Sequence, residues 1–411
     1  MENSYFKVDD SLFDITERYP ETLNVLLAQG FSQIAEESKR ITFGKHITLK
    51  VSATIKQISI SAIEQLLVEV INQNKYNTDK ESVKGIITGR KDIRIEGLLP
   101  CPVRLPLVEK LDAFLDDFQK GSGLTVETSL QAASMGLDGI KSYVRSATKE
   151  DDLSDIFLSA GFDLFFEKDL MGKFMDKGVF EDFSDFESYN SDFQNDYLSL
   201  KDPKGFYSTI AAVPAVFLVN KNELKGRGIP QTWEDVLSPE FENSISLPVS
   251  DFDLFNAMML HIHQKYGDKG VEGLGRNLLA SMHPAQMVKS ERSKTDKPAV
   301  TIMPYFFTKM VKPGSSMEAV WPKDGAIISP IFMLTKKSKG DKIKAIADVF
   351  MSKEIGELLS HQGLFPSVHP DVDNNLPADN KFMWVGWDYI YNNDIGSLIT
   401  KCEGLFNNAV K

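Results

Sequence analysis

Two cysteines in 411 residues, Cys101 and Cys402, are too few for a disulfide framework, and nothing in the sequence places them together. No run of about 18 apolar residues occurs, so no segment reads as a transmembrane helix. Basic blocks are missing as well. The 46 Lys and Arg residues stand against 58 Asp and Glu, a formal net charge of −12, which makes nucleic acid or an anionic membrane surface a poor main partner. The first ten residues carry acids and no apolar core, unlike a secretory signal, so the expected location is the cytoplasm. The usual marks of catalysis are also missing: no Gly-x-Ser-x-Gly, no phosphate-loop Gly-Lys signature, no His-Glu-x-x-His and no dinucleotide fingerprint. The histidines are scattered, and His261 and His263 stand two apart on a predicted helix, where they face different ways. Asp116-Asp117 and Asp151-Asp152 are paired acids on polar helix faces or ends, where solvated charge is the default. No metal site and no cofactor is expected.

What is present is a soluble, globular composition, 42% hydrophobic and 25% charged, in a chain long enough for two or three compact units. Residues 1–72 read as a small helical module. Leu12, Phe13, Ile15 and Tyr19 recur at helical spacing, and Pro20 opens a second turn with Leu23, Leu26 and Leu27, stopped at Gly30. Thr48 opens a helix through Leu49, Val51, Ala53 and Ile55, and Ser61 with Glu64 forms a capping box before Leu66 and Leu67. Residues 73–91 turn polar and read as a linker.

From residue 92 the pattern changes. A strand over 92–99 is followed by a loop at 100–104 and a helix through Leu107, Leu111 and Leu115. A second strand over 124–130 leads through a small-residue loop at 131–136 into a helix, and a third over 155–158 turns through Ser159-Ala160-Gly161. Strand and helix alternating, with small residues at the strand ends, predict a parallel doubly wound α/β sheet, whose ligands sit beyond the carboxyl ends of the strands.

Residues 229–260 carry the densest local instructions. Thr232 with Asp235 is a capping box starting a helix at Trp233, Pro239 stops it, and 244–247 is a short strand closed by Pro248. Ser250 with Asp253 opens a longer helix. The run Pro-x-Thr-Trp-Glu-Asp-Val-Leu-x-Pro-Glu-Phe at 230–241, followed by Ile-Ser-Leu-Pro, resembles the hinge-side segment of type II periplasmic solute-binding proteins of ABC transporters, in the ferric-iron, thiamine and polyamine group. The segments 321–326 and 350–356 are similar to further stretches of that family, and the resemblance runs from about Ile93 to the C-terminus. It implies two lobes, each with a doubly wound sheet, joined by a two-strand hinge. Two apolar strands with a central proline, around Pro214 and Pro330, suit the crossings. One lobe would then comprise 92–214 and 325–411, and the other 215–324. Residues 15–31 in turn resemble a small domain of unknown function found alone or fused to hybrid-cluster and other redox proteins. Many members place Cys-x-x-Cys after the glycine; here Phe31-Ser32-Gln33-Ile34 stands there, so the expected role is interaction or self-association rather than thiol chemistry.

The cleft should be lined by five loops. Cys101, Pro102 and Arg104 come from the first, Ser134 and Met135 from the second, and Ser159 from the third. Ser250 and Asp251 begin the long helix of the other lobe, and Tyr305 follows its last strand. Small and hydroxylic residues at helix starts leave backbone N–H groups open to a ligand. Arg104 could grip a carboxylate or phosphate. Ferric-binding relatives use adjacent tyrosines on the loop that here reads Tyr305-Phe306, so the resemblance does not carry an iron site intact. The expected function is a binding protein that closes two lobes on a small anion, organic acid or metal complex, inside the cell as sensor or carrier, with transporter components as partners the family implies. The alternative is an enzyme on the same scaffold using Cys101 as nucleophile or metal ligand.

Overall fold

The structure is a computed structural model. It describes residues 3, 5–20, 22–23, 26, 31–34, 36–56, 60, 63–64, 67–68, 71, 91–99, 101–132, 138–194, 198–249, 252–281, 297–311, 314–377 and 379–410. The chain forms two compact units, Met1–Arg90 and Lys91–Lys411.

In the first unit, α1 (Leu12–Arg18) starts where expected, because the Ser11 hydroxyl accepts a hydrogen bond from the Asp14 N–H at 3.0 Å. A helix not anticipated from the sequence, α2 (Glu37–Thr42), follows, and then α3 (Leu49–Ile55), capped by Thr48. Leu12, Ile15, Phe31, Ile34, Leu49 and Ala53 are buried together as a core of the unit's own. The expected stop at Gly30 and the cap at Ser61 lie outside the described residues.

The second unit is built on a ten-stranded sheet. Its strands are β1 (Ile93–Leu99), β2 (Val126–Ala132), β3 (Ile156–Ser159), β4 (Tyr207–Asn220), β5 (Ile245–Leu247), β6 (Leu278–Ser281), β7 (Val300–Pro304), β8 (Met317–Val320), β9 (Ala326–Thr335) and β10 (Phe382–Met383). The order is β2-β1-β3-β9-β4-β7-β5-β6, with β10 paired to β9 and β8 to β4. Parallel β1, β2 and β3 make one end, and parallel β5, β6 and β7 the other. Between them run β9 and β4, antiparallel to each other and to β3 and β7 respectively, while β10 lies parallel to β9. The unit is thus a mixed α/β fold, and the small helical unit precedes it in the chain.

Both central strands carry a proline in mid-sheet, which ordinarily costs a rung of the ladder. Pro330 stands opposite Ala212, and Pro214 opposite Ile328. The Ala212 N–H points away from β9, donating to the Pro366 carbonyl at 3.0 Å. The alternation of an antiparallel pair makes Ala212–Pro330 and Pro214–Ile328 non-hydrogen-bonded pairs, so neither proline removes a bond between β4 and β9. Each proline nitrogen faces outward instead, along the stretch where β3 has ended and β10 has not begun, or where β7 has stopped. The prolines stand where the ladder has nothing to lose.

The first capping box of the 229–260 segment forms as read, while the second, at Ser250, lies outside the described residues. The Thr232 hydroxyl accepts from the Asp235 N–H at 3.2 Å, while the Asp235 carboxylate accepts from the Thr232 N–H at 2.9 Å. This starts the short helix Trp233–Leu237. Trp233 is fully buried against Phe217 and donates its indole N–H to the Gly325 carbonyl at 2.9 Å. The long helix α4 (Phe252–Asn277) is interrupted at Gly267, whose φ of 67° suits glycine. It packs on the C-terminal helix α5 (Ile395–Ala409) so closely that a Cβ on Gly275 would lie 2.4 Å from the Phe406 carbonyl oxygen.

One local reading needs correcting. The expected loop at 100–104 is mostly helix, because the helix Cys101–Ser122 begins at Cys101. The first turn of a helix has no intrahelical use for its N–H groups and so tolerates Pro102.

Candidate functional site

The register places the two sets of strand ends opposite one another. Ser159, the last residue of β3, pairs with Phe332, which pairs with Thr209 of β4. Pro304, the last residue of β7, pairs with Ala215 of the same strand. The carboxyl ends of β3 and β7 thus point toward each other across six residues of β4, roughly 20 Å of extended chain. That stretch contains Pro214 and Val213, the one residue of β4 that is not buried.

Ser329 stands opposite Val213, so their side chains share a face of the sheet. Its hydroxyl lies 3.1 Å from the Ala160 carbonyl and 3.4 Å from the Asp253 carbonyl. One side chain of β9 therefore touches the loop after β3 and the first turn of the long helix. Sequence reasoning missed Ser329. The signal was available, as it is the lone polar residue of an otherwise apolar strand interior.

Of the expected residues, Ser159 is fully buried, and its hydroxyl accepts from the Gly161 N–H at 3.1 Å, shaping the turn into the helix Phe162–Phe166. Asp163 of that helix is ion-paired with Lys141, which joins the elements that follow β2 and β3. Arg104 is buried rather than solvated, and its Nε–H donates to the Leu130 carbonyl at 2.8 Å. Tyr305 is half-buried, edge-on to Trp321 with centroids 5.1 Å apart, and burial raises its phenol pKa above the ordinary value. Ser134, Met135, Ser250 and Asp251 lie outside the described residues, as do the side chains of Cys101 and Pro102.

A second meeting point was not foreseen. Phe306 stacks on Phe365 with centroids 6.2 Å apart and planes 20° off parallel. Lys309 donates to the carbonyls of His361 and Gln362 at 3.0 and 3.1 Å, where a cation suits the end of a helical segment. The turn bearing Phe365 admits no bulk, since a Cβ on Gly363 would meet the Phe365 ring at 2.4 Å and Val103 at 2.5 Å. The residues after β7 and those beside the first-turn Arg104 are thus brought to one place through 363–365.

A cavity of about 420 Å³ lies elsewhere, lined by Tyr189, Phe193, Gln194, Leu198 and Lys201 among others, none of them from the expected loops. Among the histidines, His261 is buried, His263 contacts Tyr389 and Asp268, and His361 contacts the Asp373 carbonyl. Cys402 is buried and free, its thiol pushed up to about 11 by burial, which leaves it unreactive. Among the described residues no three His, Cys, Asp or Glu side chains are grouped as metal ligands, and no helix is long and apolar enough to cross a membrane.

The family model described as "Bacterial extracellular solute-binding protein" matches residues 151–393, more than half of the chain. The chain belongs to this family. A second model, "Domain of unknown function (DUF1858)", matches residues 6–63 of this solute-binding protein, where the sequence resembled such a domain. Comparison with curated proteins by sequence gives no match. Among solved structures, the ferric binding protein from Campylobacter jejuni aligns at 14% identity and a TM-score of 0.53, covering 77% of this chain and 99% of that one. An ABC transporter protein from Clostridium perfringens aligns at 14% identity and a TM-score of 0.53, covering 78% and 100%. The periplasmic binding protein AfuA from Actinobacillus pleuropneumoniae, with fructose-6-phosphate bound, aligns at 17% identity and a TM-score of 0.51, covering 77% and 99%. Such low identities show the shared fold. The family marks a solute-binding protein rather than an enzyme, and the shared fold agrees with it.

Proposed function

We propose that residues 91–411 close two lobes, 92–214 with 325–411 against 215–324, around a small solute that carries an anionic group. The observation that carries this reading is Ser329, whose hydroxyl lies between the Ala160 and Asp253 carbonyls in the middle of a crossing strand. Those carbonyls belong to the two segments that would form opposite walls. The helices Cys101–Ser122 and Phe252–Asn277 follow β1 and β5 directly and begin beyond their carboxyl ends. Open N–H groups and the positive ends of both helices would favour negative charge there, and Arg104 adds a buried cation. Fold neighbours that bind ferric ion and fructose-6-phosphate indicate the range of solutes the scaffold accommodates. For this chain the phosphate- or carboxylate-bearing end of that range is favoured. Phe306, beside Tyr305, spends its ring on Phe365 and offers no oxygen to a hard metal ion.

Native mass spectrometry of protein purified without added solute tests the reading. A retained small anion, or thermal stabilisation by phosphate esters and small carboxylates, is the expected result. Absence of both, with a visible phenolate absorption band on adding ferric citrate, would give the site to iron. Replacing Ser329 or Tyr305 by alanine should weaken the retained solute, and unchanged affinity in both would remove this cleft.

A further inference from the structure

The first unit displays an unusual surface. Of the five large hydrophobic side chains exposed among the described residues, four belong to it: Ile41, Phe43, Val51 and Ile55, the last 68% exposed. Val51 and Ile55 lie one turn apart on α3 and are neighbours on its outer side, while Leu49 and Ala53 face the core. Ile41 and Phe43 close the preceding helix α2. The same stretch is strongly basic. Between Glu37 and Glu64 the sequence holds five Lys and Arg residues and no acid, in a chain that is acidic overall. Lys39 and Lys50 meet only exposed acids, Glu36 and Asp9, and Lys45 and Lys56 lie over the rings of Phe13 and Phe31.

The charges choose among occupants. A second copy docking the same face would set five cations against five. An anionic bilayer would attract this stretch but repel the rest of the molecule, since residues 91–411 carry 46 acids against 35 bases. A protein helix with an apolar stripe flanked by carboxylates satisfies both the apolar side chains and the cations.

We propose that the face around α2 and α3 docks an acidic amphipathic helix of a different protein, so that this unit couples solute binding to an effector. The inference does not depend on which solute is held.

The test uses the full chain and a fluorescent synthetic helix with leucines along one side and glutamates on the other, beside a leucine–lysine counterpart. The glutamate helix should bind at low ionic strength and the lysine helix should not. Two paired variants at exposed or half-exposed positions, V51S with I55S and K50E with K56E, should each weaken binding by roughly tenfold or more. Equal binding of the two helices, or binding untouched by either pair, overturns the proposal. So does binding to phosphatidylserine vesicles that the same pairs abolish, which assigns the face to a membrane. Concentration-dependent dimerisation lost in the V51S and I55S pair would assign it to a second copy and equally defeat the proposal.

Discussion

At the scale of single residues, burial decides what the charged groups can do. His261 is nearly enclosed in the long helix, and neither ring nitrogen has a hydrogen-bond partner among the described residues. Burial, with a smaller contribution from Lys265, lowers its pKa to about 4. A depressed histidine pKa means that the unfolded chain takes up a proton near pH 6.5 while the folded one does not. Stability from this group is therefore complete above pH 6.5 and falls as the pH drops toward 4, by about 3 kcal/mol in all. Thermal melts of wild type and His261→Leu across pH 4–7 should separate toward the acid end, the wild type losing stability that the variant keeps; parallel curves would remove histidine as the cause. Asp155 and Lys336 pose the opposite case. Both are buried, and Lys336 Nζ donates to the Leu153 carbonyl at 2.8 Å and to Asp155 at 3.1 Å. Asp155→Asn should cost about 3–5 kcal/mol in urea unfolding, because it strands a buried ammonium. Neither group was legible beforehand. A lone histidine or lysine in sequence says nothing of its surroundings, whereas Ser329 could have been noticed as a hydroxyl out of place in an apolar strand.

Elements were more readable where their signals are local. The capping box at Thr232 is the clearest case, since both of its reciprocal bonds are made. Thr232→Ala should lower stability by about 1 kcal/mol, and Thr232→Ser should restore most of it; equal losses would mean the hydroxyl is not the source. The long strands β4 and β9 were legible too, as apolar runs with a proline at the middle. Their ladder geometry was not, because a proline marks a lost donor without saying whether the partner strand wanted it. Strands β6, β8 and β10 escaped altogether, being two to four residues long and too short to show a period. The Phe306–Phe365 stack belongs to this scale as well, since it joins two elements 59 positions apart in sequence. If it holds the closed form, Phe306→Leu should weaken the retained solute by roughly fivefold, the equivalent of about 1 kcal/mol for an aromatic pair. A double-mutant cycle with Phe365→Leu, read by calorimetry, should show coupling of similar size. Additive losses would mean the rings act separately.

For the whole molecule, the division is set by where apolar residues are found. Residues 73–90 offer few of them, while the segments on either side each supply a core, a small helical one before and a large sheet-based one after. Two cores with separate membership need not melt together, because cooperativity requires shared contacts. The polar composition of 73–91 is what the sequence offers at this point, and separate family models match residues 6–63 and 151–393. The sequence could not announce the surface of the first unit. Exposure of Ile55 depends on which side of a short helix meets the core, and that is decided by Leu49 and Ala53 packing inward. Calorimetry of the full chain should accordingly show two transitions. A chain of residues 91–411 should reproduce one of them and keep the solute at unchanged affinity. The solute should raise only that transition, by the free energy that binding to the folded form supplies. A single transition that moves as a whole with solute would mean the two units share their stability, and the first would then have to be read as part of the binding machinery rather than as its adaptor.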